Sequence, residues 1–459
     1  MTGHPLSTRG APGGRNAALK LFGIGFLTLI MIVPLMLISS LVNERERYAA
    51  EAAAGIAQGW GGAQSLAGPF LVVPYTVAEK RDAAGAILSP AASGRIVVLA
   101  KTLDAAAAPS VEERARGIFR VPVYATDLAF EGSFARPGEA DLPAGAVLDW
   151  SRASLSLAVS DVRGISGAVT LIWNGAERTD FAPGTGVAAA PNGVHAALAP
   201  GEGETPFRLT LRLRGTGRLA FVPSAETFSA RIASPWPHPS FDGAYLPEER
   251  SIGAEGFSAL WRVSHLARPL PQIWDNGEDV SLEAAAFGVT FFQPVDFYAL
   301  VDRSLKYAIL FIGLSFLVFF LAETATGARI HVVQYLLAGA AQVIFYLLLL
   351  ALAEQTGFTA AYIAAALACT GLTALYAGPI LGGVRRGFGV AAALAVLYGL
   401  LFTLLNEEDY ALLTGAVASF LALAVTMFMT RRIDWYQAQA GIAESLGPPP
   451  AGTPSRQGA

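Results

Sequence analysis

Apolar residues follow two rhythms in this chain: unbroken runs near the N-terminus and over the last third, and alternation with polar residues between them. Residues 21–42 form 22 consecutive positions without a charge. About 20 apolar residues at ~1.5 Å rise carry a helix across a ~30 Å hydrocarbon core. A signal peptide has a shorter apolar stretch of about 7–15 residues. No persuasive cleavage site follows directly, because the next residues are Asn43-Glu44-Arg45-Glu46-Arg47. The run therefore reads as an uncleaved signal anchor; the alternative is cleavage within the alanine-rich stretch after Tyr48. Pro34 lies inside the run, where a kinked membrane helix tolerates it. Five more uncharged runs occupy 307–322, 332–353, 356–384, 387–406 and 410–430. They predict helices at about 305–325, 332–353, 358–382, 387–406 and 410–430, hence six spans, one N-terminal and five C-terminal.

Residues 43–304 have the second rhythm. Phe207-Arg208-Leu209-Thr210-Leu211-Arg212-Leu213-Arg214 alternates apolar and polar residues without a break. That is the pattern of a strand with one buried face. Gly215-Thr216-Gly217 then reads as a turn, with Leu219 and Phe221 on a return strand. Further strands are predicted at 95–99, 119–124, 128–134, 154–159, 169–173 and 257–263. Many short strands between Gly, Pro and Asp turns point to an all-β, sandwich-like domain. The fold class is thus membrane α plus β, with the β domain inserted after the first span. Residues 44–59 are alanine-rich and suit a helix continuing outward from that span.

Composition fits this partition. Charged residues make up 15% of the chain, hydrophobic residues 53%, and mean hydropathy is +0.46. A soluble chain carries roughly 25% charged residues. Cytoplasmic loops favour Lys and Arg. Arg9, Arg15 and Lys20 put the N-terminal tail, 1–20, inside; alternation then puts Arg329, Arg385-Arg386 and Arg431-Arg432 inside as well. Glu354 and the Glu407-Glu408-Asp409 loop fall outside. Arg303 and Lys306 are exceptions, with Asp302 four residues before Lys306 as a helical partner. Residues 43–304 then lie outside the cytoplasm, and the 431–459 tail lies inside, disordered at its Pro/Gly-rich end. The outer region holds 22 bases and 29 acids, net −7, against +3 for the rest. No basic excess exists to neutralise phosphates, so nucleic acid is not an expected partner. One cysteine, Cys369, excludes a disulfide framework.

No catalytic motif stands out, and the five histidines show no ligand spacing, so neither a cofactor nor a metal is predicted. The short Gly-x-Gly pieces join strands and read as turns. Two groups of candidate residues remain. In Ser234-Pro235-Trp236-Pro237-His238-Pro239-Ser240-Phe241, three prolines in five positions enforce an extended path. Trp236, His238 and Phe241 there form either a rigid recognition loop for a partner or a structural crossover whose aromatics belong to the core. In the membrane region, Glu323 and Glu354 end the second and third spans, where an interface favours solvated carboxylates. Gln334, Ala338, Gln342 and Tyr346 recur every four residues on one helical face. That face lines a polar path or makes interhelical hydrogen bonds.

Several segments together resemble the CreD family of bacterial inner-membrane proteins, called cell envelope integrity proteins. In the outer region these are Gly68-Pro69, Val73-Pro74-Tyr75, Arg116-Gly117-Ile118-Phe119, Ser160-Asp161-Val162-Arg163-Gly164 and Trp236-Pro237-His238-Pro239-Ser240-Phe241. The membrane part adds Asp302-Arg303-Ser304-Leu305-Lys306-Tyr307-Ala308, Glu323 and His331-Val332-Val333-Gln334-Tyr335-Leu336-Leu337. It continues through the run from Phe345-Tyr346 to Ala353-Glu354 and closes on Arg432-Ile433-Asp434-Trp435-Tyr436. The resemblance implies an inner membrane of Gram-negative type, a periplasmic placement for 43–304, and a role in envelope integrity under stress. It carries over no catalytic residue and no ligand.

Three functions follow as expectations. The first is a non-enzymatic protein of the lipid bilayer whose β domain binds a periplasmic protein or envelope component. The second is a transporter or lipid-handling protein using the helix bundle. The third and weakest is an enzyme, for which no set of nucleophile, base and orienting group is visible in the sequence and which a pocket joining Asp161, Arg163 and His238 would revive.

Overall fold

The computed structural model describes residues 15–81, 87–198, 203–291, 297–406 and 411–431. Arg9, Glu407-Glu408-Asp409 and the tail from Arg432 onward lie outside the described residues. The chain divides into two compact units, a β-rich one over Tyr48–Pro294 and a helical one from the chain on either side.

The helical unit comprises α1 (Arg15–Ile30), the membrane part of α2 (Ile32–Trp60), α3 (Phe297–Thr326), α4 (Val332–Thr356), α5 (Phe358–Ile380), α6 (Val384–Asn406) and α7 (Ala411–Thr430). The first predicted span is two helices meeting at Met31. Pro34 lacks an N–H, and its ring crowds the carbonyl four residues back, that of Ile30. The helix breaks at that point and resumes. As the alanine-rich sequence predicts, α2 continues as far as Trp60.

Six spans were expected; among the described residues five helices are long and apolar enough to cross a membrane. The predicted span 410–430 meets α7, within which Gly415–Phe428 is the apolar stretch among the described residues. Small residues set the helix spacing. A Cβ on Gly387 would fall 2.8 Å from the Ala374 carbonyl oxygen and 3.0 Å from the Gly378 Cα, so α5 and α6 approach backbone to backbone.

In the β-rich unit, 18 strands join in one continuous sheet that folds over itself. Strand Ala92–Ala107 belongs to both halves. Its first part pairs with Gln64–Val77 (Leu99 opposite Phe70, Ala92 opposite Val77). Its second part pairs with Phe119–Phe134 (Thr102 opposite Ser133, Ala107 opposite Leu128). Leu71, Val73 and Val98 from one half share a core with Phe130, Leu209 and Trp261 from the other. Gln64–Val77 is buried on both faces, because Phe70 and Val72 pack on a second cluster with Trp274 and Leu282.

The alternating segment forms strand Thr205–Thr216, with Phe207, Leu209, Leu211 and Leu213 buried. The predicted strands 119–124 and 128–134 are one continuous strand. The expected return strand is a correction. Arg218–Phe221 runs parallel to Gln64–Leu66 and antiparallel to Phe287–Thr290. Gly217, at φ 73°, turns the chain into the other half of the sheet.

Candidate functional site

The helical unit buries polar side chains at three levels along α3 and α4. The first contains Glu323, which is 8% exposed near the C-terminal end of α3. Its Oε1 pairs with Lys20 Nζ of α1 and accepts the Ile330 N–H at 3.2 Å. Its Oε2 accepts the Tyr335 hydroxyl at 3.1 Å. Lys20 Nζ also donates to the Ile330 carbonyl at 3.2 Å. A desolvated carboxylate costs several kcal/mol unless paired and hydrogen-bonded; here both oxygens have donors. The solvated end expected for Glu323 is therefore a buried junction of α1, α3 and α4. Packing, and not position along the span, decides its exposure.

Gln342, about 15 Å along α4 from Val332 at ~1.5 Å per residue, defines the second level. Its Oε1 accepts the Tyr398 hydroxyl of α6 at 2.8 Å. The Tyr398 carbonyl accepts the Tyr362 hydroxyl of α5 at 2.7 Å. Phe345 wedges between them, with ring centroids 4.7 Å from Tyr398 and 5.4 Å from Tyr362. Among the described residues of this unit three buried side-chain polar atoms lack a hydrogen-bond partner: Gln342 Nε2, Tyr346 Oη and Thr373 Oγ1. Their residues are 1%, 0% and 2% exposed.

The third level surrounds Glu354, near the other end of α4. Its Oε1 accepts the Tyr298 hydroxyl at 3.2 Å and lies 3.8 Å from Arg45 Nε. Nearby in sequence, Lys306 pairs with Asp302 at 2.9 Å, as their spacing predicts. Gln334 joins none of these levels. Its Oε1 accepts the His331 N–H at 2.8 Å, and His331 Nδ1 accepts the Val333 N–H at 3.3 Å, a cap for the start of α4. Of the predicted stripe, Gln342 and Tyr346 lie together on the buried face, and Gln334 does not join them.

In the β unit, Trp236 Nε1–H donates to the His238 carbonyl at 3.2 Å, and the two rings meet edge to face at 6.4 Å. His238 is exposed and Trp236 half-buried. Phe241 packs instead on Phe257 and Trp261, both at 5.7 Å. Asp161 and Arg163 pair with each other, Nη2 to Oδ2 at 2.8 Å and Nε to Oδ1 at 2.9 Å. The Arg163 hydrogen bond, with help from the N–H groups of Gly62 and Arg163, holds the Asp161 carboxyl at about 2 despite partial burial. Arg163 Nη1 reaches the Gln58 carbonyl at 3.3 Å. None of these contacts brings in His238. Among the described residues no group of three His, Cys, Asp or Glu side chains could hold a metal ion.

The family described as Inner membrane protein CreD matches this chain over residues 16–436, which takes in all three buried levels and the whole β unit. The chain belongs to the CreD family. Inner membrane protein CreD of Escherichia coli (strain K12) is 37% identical to it over 427 residues, covering 91% of this chain and 92% of that protein. As a CreD-family member with five helices long and apolar enough to cross a bilayer, it is a multi-pass inner-membrane protein.

In this CreD chain the sequence pattern points to Glu323 at the first buried level, Gln342 and Tyr346 at the second and Glu354 at the third, and not to their hydrogen-bond partners. Lys20 was read as an orienting charge, and Tyr335, Tyr362, Tyr398 and Thr373 passed as ordinary span residues. For Tyr398 the available signal was a hydroxyl well inside its span, away from the interface where tyrosine usually sits. Each such group needs a partner, yet spacing along one helix does not reveal which neighbouring helix provides it.

Proposed function

We propose that this CreD-family chain is a non-enzymatic inner-membrane protein supporting cell-envelope integrity under stress. In this reading its β region, 43–304, faces the periplasm and binds an envelope component or protein partner there. The loop charges support that orientation, with Arg9, Arg15 and Lys20 at one end of the first span and Arg329 and Arg385-Arg386 in later loops on the same side. One observation carries the division of labour. Glu323 and Glu354 are each engaged by groups from other helices, Lys20 and Tyr335 in one case, Arg45 and Tyr298 in the other. Charges tied helix to helix suit an anchor, which leaves the β unit as the binding part, with Trp236 and His238 on its exposed loop.

A second reading, transport or lipid handling by the bundle, draws on the unpartnered Gln342 Nε2, Tyr346 Oη and Thr373 Oγ1. Complementation of a strain lacking the protein separates the two, scored as survival under detergent stress at equal protein level. The anchor reading expects Trp236→Ala with His238→Ala to fail and Gln342→Leu to complement. The reverse pattern would sink it in favour of the bundle.

A further inference from the structure

The β unit carries a pocket of about 570 Å³ between the last turns of α2, Gly55 to Trp60, and the end of strand Ser110–Arg116. That strand pairs with Phe119–Phe134. Arg114 and Arg116 are two positions apart, so they project from the same side of it, ~7 Å from each other along the strand. Two guanidinium groups lie over the Trp60 indole. The Arg114 guanidinium lies 3.6 Å over its ring and that of Arg214 lies 4.8 Å away. The ring is fixed by its own N–H, which donates to the Tyr124 carbonyl at 3.1 Å.

Arg116 rests against Gly55. A Cβ placed there would fall 1.5 Å from Arg116 Nη1, so the guanidinium fills the space that glycine leaves. Among the described residues one carboxylate pairs with these three arginines, Glu112, which Arg114 Nε reaches at 3.0 Å. Among the described residues the Arg116 side chain makes no hydrogen bond or ion pair, and Arg214 Nε is buried without a partner. Stacking on Trp60, together with attraction to the carbonyl end of α2, accounts for Arg114 and Arg214. It does not account for the idle donors of Arg116.

We propose that this pocket binds a phosphate-bearing anion, with Arg116 and Arg114 as the guanidinium forks and Trp60 as the floor. Two forks from neighbouring positions match the several oxygens of a tetrahedral phosphate, and each takes two oxygens at once. The same chemistry is offered by a phospholipid headgroup and by a free phosphate. The proposal rests on the reading above only in taking the ligand as an envelope component, and it does not involve the Trp236 loop.

The test uses the full chain. Inorganic phosphate is titrated calorimetrically into protein in neutral detergent. In parallel, protein reconstituted in phosphatidylcholine vesicles containing phosphatidylglycerol is released and weighed by native mass spectrometry. Wild type is expected to bind one probe or both. Arg116→Gln, which removes no internal bond and should leave the melting temperature unchanged, weakens binding about tenfold or more, because one charge-assisted fork is lost; Arg116→Lys restores part of it. Retained phosphatidylglycerol that excess phosphate does not displace assigns the site to a headgroup, and binding of phosphate without lipid retention assigns it to a soluble phosphate. The proposal fails if wild type binds neither probe, or if the Arg114→Gln, Arg116→Gln double variant binds whichever probe wild type binds as tightly as wild type does. Either failure leaves the complementation test of the β-unit loop standing.

Discussion

The two units use the same ion-pair chemistry in opposite settings. In the β unit, Arg208 faces Glu131 across neighbouring strands at 3.2 Å, with side chains 57% and 54% exposed. Arg262 bridges Glu248 and Glu249, again largely in solvent. In the helical unit, the Glu323 side chain is 11% exposed and has donors on both oxygens. Exposed pairs contribute about 0–1 kcal/mol, since water solvates either ion nearly as well as the partner does. Breaking a buried pair strands a charge at a cost of roughly 3–5 kcal/mol. The β unit gets its stability from apolar area between its two sheet halves and uses charges as a solvated coat. The helical unit has apolar surroundings on every side, so its few polar groups determine which helices meet.

The sharpest test of that contrast sets Glu323→Leu against Glu131→Ala. With Lys20 partly exposed, Glu323→Leu should cost about 3 kcal/mol, near the low end for a broken buried pair, and Glu131→Ala less than about 1 kcal/mol. Thermal unfolding of the purified protein measures both. Adding Lys20→Met to Glu323→Leu should recover most of the loss, because no lone charge remains. Equal costs for the two single variants would break the comparison.

A smaller effect is expected at Tyr398. Among the described residues Tyr398 is the one donor to Gln342 Oε1, so Tyr398→Phe leaves both ends of a buried amide without a partner there. Interhelical hydrogen bonds in membranes average about 0.6 kcal/mol, and an orphaned buried acceptor adds to that, giving about 1 kcal/mol. A stability gain would mean that the hydroxyl strains the packing of Phe345.

The smallest concerns acid. Asp161 has its carboxyl lowered to about 2 by Arg163, so its contribution is present above the ordinary carboxylate value, 3.8, and fades as pH falls from there towards 2. Urea midpoints should decline over that window in wild type. Asp161→Asn should be less stable at neutral pH and show a flatter acid limb; identical limbs would mean that the pair is too well solvated to matter.

Much of the architecture was legible because its signals are local. Strand Thr205–Thr216 buries every second residue, as its alternation states. Runs longer than a bilayer became helices, and Asp302 and Lys306 found each other one helical turn apart. The readings that failed depended on distant partners. Leu219 and Phe221 looked like a hairpin return, yet their strand lies beside residues about 70 positions away, at Phe287–Thr290. Glu323 looked solvated because its span ends there, yet Tyr335 and Lys20 close over it.

The sequence by itself determined which stretches are apolar enough to form long helices, where alternation makes strands, and which family the chain resembles. The first two follow from hydropathy and periodicity, properties read within about 20 residues, and the resemblance from short motifs spread along the chain. Only the tertiary structure decided that one long strand serves both halves of the β unit, that Gln342 answers to Tyr398, and that Arg114, Arg116 and Arg214 gather about Trp60. A buried polar group or a guanidinium has many possible partners of equal chemistry, and the choice among them is made by packing across the fold.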